Sequence, residues 1–324
     1  MGDVAMTVPV LSAFSNANPT IKLTVLTKKQ FAPLFRDLKM VTVISADFNT
    51  THKGVLGLYR LSKTLRNTHI DAVADLHNVL RTKVLKLFLS GLKFTQIDKG
   101  RAEKKALITG KISTPLRTTP QRYADVFRTL GFEFEIDTPV FPNPKPLGAA
   151  ITKVLGDFSN AFVGIAPFAA YASKTYPISK MDTVIFELQK ESKVLLFGGG
   201  ATETHQLEAI ASKYANVFCV AGKFSLEQEL DVISNLKVML SMDSSNGHMA
   251  AMLGVQVVTL WGVTHPFAGF APFHQLATHN LLSDPEKYPK IPTSIYGNNY
   301  PEGYELAMQT ISVESIIKTV QDTL

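Results

Sequence analysis

The sequence predicts an α/β protein of two similar halves, each a parallel sheet covered by helices on both faces. Three observations carry this. Short, continuous apolar runs alternate with helical patterns along the whole chain. Strands apolar at every position, rather than every second one, belong to sheets buried on both sides. Residues 137–149 carry four prolines, a stiff and irregular stretch that reads as a linker. Beyond it the alternation starts afresh. The expected division is 1–147 and 148–324, since 324 residues exceed what one compact core usually takes.

In the first half, strands read as Ile21–Leu26, Val41–Ser45, Asp71–Leu76 and Phe94–Ile97, with helices near 28–38, 54–67, 78–91 and 120–131. The 78–91 pattern is amphipathic: Leu80, Leu85, Phe88 and Leu89 form an apolar stripe, which normally packs on a core. In the second half, strands read as Phe162–Ala166, Val194–Phe197, Val217–Val220, Val238–Ser241 and Val255–Leu260. Helices read near 178–190, 203–213, 225–235 and 246–253. Ser225 and Gln228 are spaced as a capping box, and Gly254 is placed to end a helix. A last helix is expected to pack back toward the first half.

Composition narrows the function classes. No apolar run approaches the ~18 residues of a membrane span, and residues 1–14 lack the basic start and cleavage site of a secretory signal. A soluble, cytoplasmic protein is expected. The one cysteine, Cys219, forms no internal disulfide or cysteine metal site and reads as core packing. No metal-ligand spacing is present, so neither metal nor cofactor is expected. Net charge is +6 but uneven: residues 1–147 carry +11 and residues 148–324 carry −5. The first half is suited to an anionic partner.

The richest segment is Val238–Pro266. A strand ends in Met242-Asp243-Ser244-Ser245-Asn246-Gly247-His248, a helix follows, then a second strand and Trp261-Gly262-Val263-Thr264-His265-Pro266. A polar turn opening a helix at the carboxyl end of a parallel strand is where ligands bind. Free N–H groups and the helix dipole favour phosphate there. Ser244 and Ser245 add hydroxyls, and His248 lies about one turn in. Plain N-capping is the competing role for Asp243 and Ser244. Gly198-Gly199-Gly200 follows a strand, but a dinucleotide fingerprint needs glycine at 203, which is Glu203.

Asp243 to Gly254 with Val257-Val258-Thr259-Leu260-Trp261-Gly262-Val263-Thr264-His265-Pro266 resembles the signature of the heptosyltransferase family, glycosyltransferase family nine, with Ser245 where that family often has glycine. Gly2-Asp3…Pro9, Asp71-Ala72-Val73-Ala74-Asp75-Leu76, Ile165-Ala166-Pro167 with Ser173-Lys174-Thr175, and Phe197–Glu203 are similar to further family segments in the same order. The resemblance implies the GT-B fold: two Rossmann-like parallel-sheet domains facing across a cleft. The first would bind acceptor and the second a nucleotide sugar. It also implies inverting, metal-independent transfer of a sugar, as from ADP-heptose, to a lipopolysaccharide-core or related glycolipid acceptor. Asp3 is then the general-base candidate. Lys174, with the helix start and His248, would stabilise the leaving diphosphate. Glu203 would hold the donor's nucleoside sugar, with a helix-start carboxylate as the competing role. Asp243 would help hold the donor. Lys99, Arg101, Lys104 and Lys105 are the candidate acceptor contacts. Contact with the inner membrane face is possible in this reading, and nucleic acid is not expected.

The resemblance also implies a strand before Gly2-Asp3, central in the first sheet, that this sequence lacks. An internal start Met is the favoured explanation and a shortened chain the other. Another nucleotide-sugar donor, or a non-catalytic two-lobe binding protein, are the alternative functions.

Overall fold

The computed structural model describes residues 1–156 and 162–324. They fall into two compact units: Met1 with Asp3–Gly100 and Thr118–Val140, and Gly2 with Arg101–Arg117 and Phe141–Leu324. This is not a single cut near residue 147. Leu107 and Leu116 are buried against Ala268, with Phe267 and Ile295 packed beside them, and Leu116 N–H donates to the Phe267 carbonyl. That apolar patch ties 101–117 to the second unit.

The chain opens on helices α1 (Gly2–Ala5) and α2 (Thr7–Ala17), then strand β1 (Leu23–Lys28). The helix expected over 28–38 is a 3-10 helix, Lys29–Phe35, because Pro33 inside it has no N–H for an α-helical bond. Strand β2 (Val41–Ala46), helix α3 (Gly54–Arg66), β3 (Ala72–Asp75), α4 (Leu80–Phe88) and β4 (Lys93–Gln96) follow. Then come α5 (Arg101–Ile108), in a stretch whose sequence reads as a loop, and α6 (Thr119–Thr129). Thr118 and Gln121 cap α6 reciprocally, with Pro120 in its first turn.

The four strands of the first unit form two separate parallel pairs, β1–β2 and β3–β4. Every residue of β1 from Leu23 to Thr27 is only half-buried. The covered parallel sheet expected here is therefore split. On one face α3 and α4 pack a common core of Leu58, Leu61, Leu65, Leu85 and Leu89. Elsewhere in the unit α2 meets α6 through an aromatic cluster, with the Phe14 and Phe127 ring centroids 4.6 Å apart.

Residues 139–148 have no regular structure. The second unit continues with α7 (Ala149–Leu155), β5 (Phe162–Ala166), α8 (Ile178–Leu188), β6 (Lys193–Leu196), α9 (Gly200–Ala211) and β7 (Val217–Cys219). Next are α10 (Leu226–Ser234), β8 (Val238–Met242), α11 (Ser245–Met252), β9 (Gln256–Trp261), β10 (Asn280–Leu282) and α12 (Val313–Gln321). The strands form one parallel sheet, in the order β10-β9-β8-β5-β6-β7. β5 and β8 are buried at every position, as their largely apolar sequences require, with Ser241 the polar exception. The Ser225–Gln228 capping box opens α10. Helix α12 packs within the second unit. Ile316 and Val320 are fully buried in the second unit's core, which also contains Met181, Ile185 and Leu188 of α8. Cys219 is buried, and that burial pushes its thiol pKa up, disfavouring the thiolate. No helix among the described residues is long and apolar enough to cross a membrane.

Candidate functional site

Strand order locates the site. The chain leaves β5 toward β6 and β7, then crosses back to β8 on the other side of β5. A reversal of this kind opens a crevice outside the carboxyl ends of the strands flanking it. The segments after β5, β8 and β9 meet there. Lys174, in a short 3-10 turn after β5, sends its ammonium to the turn after β8, 2.8 Å from the Asp243 carbonyl and 3.1 Å from Asp243 Oδ2. Thr264, after β9, donates its hydroxyl to the same Oδ2 at 2.9 Å. The Lys174 and Asp243 side chains are 11% and 10% exposed, and Thr264 is buried.

A buried ion pair persists only when its remaining hydrogen-bonding groups are satisfied. Here the Asp243 oxygen takes two donors, and Lys174 spends two of its three N–H groups on one residue. The neighbouring backbone fixes the arrangement. Ser173 donates its hydroxyl to the Gly297 carbonyl. A Cβ on Gly262 would stand 2.1 Å from the Ser173 carbonyl oxygen, so only glycine lets the segment after β9 lie this close.

Asp243 and Ser244 do not act as side-chain caps. Ser244 occupies the N-cap position of α11 but makes no side-chain cap bond; its hydroxyl pairs with Ser241 Oγ at 3.2 Å. The first-turn N–H groups of α11 therefore keep their capacity for an anion. Ser244 and Ser245 are half-buried at this tip and His248 is buried one turn on. Gly2, grouped with the second unit, packs against that turn: a Cβ on it would stand 2.9 Å from His248 Cδ2.

Glu203 stands in the first turn of α9, after β6. Its Oε2 accepts the Gly199 N–H at 2.8 Å, which is the helix-start role. Its other oxygen has no hydrogen-bond partner among the described residues.

Asp3 belongs to the first unit, exposed in α1, and its carbonyl accepts the Tyr123 hydroxyl at 3.3 Å. Its carboxylate lies close enough to act on His77. Burial and then the Lys99 charge hold His77 below the ordinary histidine pKa, which keeps the imidazole neutral at pH 7. Of the four basic candidates, Lys99 lies in the first unit while Arg101, Lys104 and Lys105 lie on α5 in the second. The Lys104 ammonium sits over the Phe270 ring, 4.1 Å from its centroid. The sequence singles out neither Thr264, which stands inside the Trp261–Pro266 segment, nor His77, which directly follows Asp71–Leu76.

A parallel sheet with its strand reversal at β5, a buried lysine at that edge and an uncapped helix start beside it form a crevice suited to an anionic ligand, in an α/β fold of the GT-B class. The family model described as "Glycosyltransferase family 9 (heptosyltransferase)" matches residues 58–297. The chain belongs to that family and is a glycosyltransferase.

It is 25% identical over 293 residues to the lipopolysaccharide core heptosyltransferase OpsX of Haemophilus influenzae, covering 85% of this chain and 80% of that one. Identity to lipopolysaccharide heptosyltransferase 3 of Escherichia coli is also 25%, over 81% of this chain and 80% of the other. Among solved structures, a family 9 glycosyltransferase of Veillonella parvula matches with a TM-score of 0.76 at 19% identity, covering 99% of this chain and 94% of that one. The E. coli heptosyltransferase WaaC with ADP matches at 0.66 and 17% identity, covering 100% and 97%. These structural likenesses establish the fold.

Proposed function

We propose that this glycosyltransferase moves a heptose from ADP-heptose to a lipopolysaccharide-core or related glycolipid acceptor, with inversion and without a metal. The second unit takes the donor, and the acceptor is assigned to Asp3 and Lys99 of the first unit with the basic residues of α5 in the second. The single observation that carries the reading is the Lys174–Asp243–Thr264 cluster at the carboxyl ends of β5, β8 and β9. It is built to hold one cation rigidly beside a helix start. Two relatives are named for lipopolysaccharide, and WaaC is solved with ADP and with ADP-2-deoxy-2-fluoro heptose.

The chemistry follows from the residues. An acceptor hydroxyl oxygen attacks the anomeric carbon from the face opposite the diphosphate. The anomeric carbon–oxygen bond to phosphate breaks, and the hydroxyl proton passes to Asp3 as general base. Negative charge grows on the departing diphosphate. The third N–H of Lys174, the free N–H groups of α11, the hydroxyls of Ser244 and Ser245, and His248 stabilise it. Asp243 acts on the donor through Lys174, which it orients, and its own charge is offset by that lysine. The open oxygen of Glu203 suits a ribose hydroxyl. Lys99, Arg101, Lys104 and Lys105 are assigned to acidic groups of the acceptor. The site works in the cytoplasm, at the inner membrane face.

The test is a donor panel of ADP-, UDP- and GDP-sugars, read by thermal shift and by nucleoside diphosphate release with acceptor present. ADP-heptose should stabilise and turn over. Asp3→Asn should cut kcat by about 10²–10⁴ while leaving the donor's thermal shift in place. Stabilisation by a UDP-sugar alone overturns the donor assignment, and undiminished turnover in Asp3→Asn overturns the base.

A further inference from the structure

Helices α3 and α4 bury one face in a common core, and their opposite faces expose leucines among cations. Leu56 is 74% exposed, Leu80 77% and Leu87 73%. Leu80, Lys83 and Leu87 recur at helical spacing, as do Leu56, Arg60 and Lys63. The helices are joined side by side. Tyr59 meets Phe88 edge-on at 5.4 Å, and the Arg66 guanidinium donates to the Phe88 and Ser90 carbonyls near the end of α4.

Charge singles out this surface. Segments 48–70 and 76–97 contain no aspartate or glutamate, yet hold eight lysines and arginines. Exposed Lys53, Arg60, Lys63, Arg81, Lys83 and Lys86 make no ion pair with a carboxylate among the described residues. Lys63 and Arg81 instead lie over the Tyr59 and Phe48 rings. A core explains Leu58, Leu61 and Leu85. It does not explain three leucines standing in water among cations.

We propose that the α3–α4 face docks on a lipid bilayer bearing anionic headgroups. Basic side chains gain from the negative surface potential, and leucines projecting between them enter the acyl boundary. A second copy of this chain is a poor occupant, because two such faces repel. A nucleic acid would satisfy the cations and leave the leucines exposed. The inference extends the reading of a lipid-borne acceptor by naming the surface that brings the enzyme to it. The vesicle-binding measurement uses neither donor nor acceptor, so either reading can fail alone.

The experiment is co-sedimentation of the full chain with phosphatidylcholine vesicles, with and without phosphatidylglycerol. Binding is expected only with phosphatidylglycerol and is expected to weaken as salt rises. The combined variant Leu56→Ser, Leu80→Ser, Leu87→Ser should bind such vesicles about tenfold or more weakly. Its melting temperature and its turnover of a soluble, delipidated acceptor should stay at the wild-type level. Lys63→Glu with Lys83→Glu should weaken binding comparably. No binding by wild type, equal binding to neutral vesicles, or undiminished binding by the serine variant overturns the proposal. So does a concentration-dependent dimer, in vesicle-free solution, that the serine variant abolishes.

Discussion

An ammonium with two of its three N–H groups held by one aspartate has one direction left to offer. Thr264 is what keeps that aspartate from turning, since its hydroxyl occupies the same carboxylate oxygen as Lys174. Thr264→Val keeps the shape and removes the donor. The expected result is a donor KM raised about tenfold, with about 1–3 kcal/mol lost in stability, the range for a buried partner left unsatisfied. Steady-state kinetics with a denaturant melt would check it; an unchanged KM would mean that Thr264 only packs. Lys174 and Asp243 are each legible as sequence features, at the end of a strand and at the head of a helix. Their pairing is not, because it depends on β8 lying beside β5, which no local pattern records. Thr264 escapes the sequence for the same reason: it sits a further strand over, and a buried threonine is ordinarily packing.

Elements read well where one physical cause dominates. In β5 and β8, runs that are apolar apart from Ser241 announce burial on both faces, and the structure buries every position. The capping boxes act through two side chains and leave a clear local mark. Helix α5 reads as loop because its exposed lysines and arginine hide a short apolar stripe, of which Leu107 is the buried member. Strand β10, Asn280–Leu282, begins on a polar residue and is nowhere fully buried, so it lacks the continuous apolar run that marks the other strands of its sheet. The first unit's strands are legible individually, but they assemble as two pairs, with β1 half-buried where β5 is enclosed. A strand paired on one side leaves its other row of N–H and C=O groups outside any ladder. Native-state hydrogen exchange should therefore report β1 and β3 amides opening at least ~100-fold faster than those of β5 and β8. Uniform protection across both units would show that the split costs the first unit nothing.

Over the whole molecule, titratable groups that lose solvation on folding pull stability in opposite directions with pH. Burial first, with Lys99 adding to it at His77, holds His77, His265 and His279 below the ordinary histidine value. When pH falls through about 6.5, the unfolded chain takes up protons that the folded chain refuses, so stability is lost on the acid side. Glu229 acts in the other direction. It lies on the inward stripe of α10 with Leu230 and Ile233, and burial raises its carboxyl to about 7. As pH climbs from about 4.5 toward 7, the unfolded chain releases a proton that the folded chain keeps, and stability is lost on that side too. Glu229→Gln removes only the second effect. Variant and wild type should melt together below about pH 4.5 and separate up to about pH 7. The variant should be more stable by about 1–3 kcal/mol, and the gap constant beyond, since each tenfold difference in proton affinity between folded and unfolded chain is worth about 1.4 kcal/mol. Thermal melts across this range decide it. A gap independent of pH would assign the gain to packing and not to the buried charge.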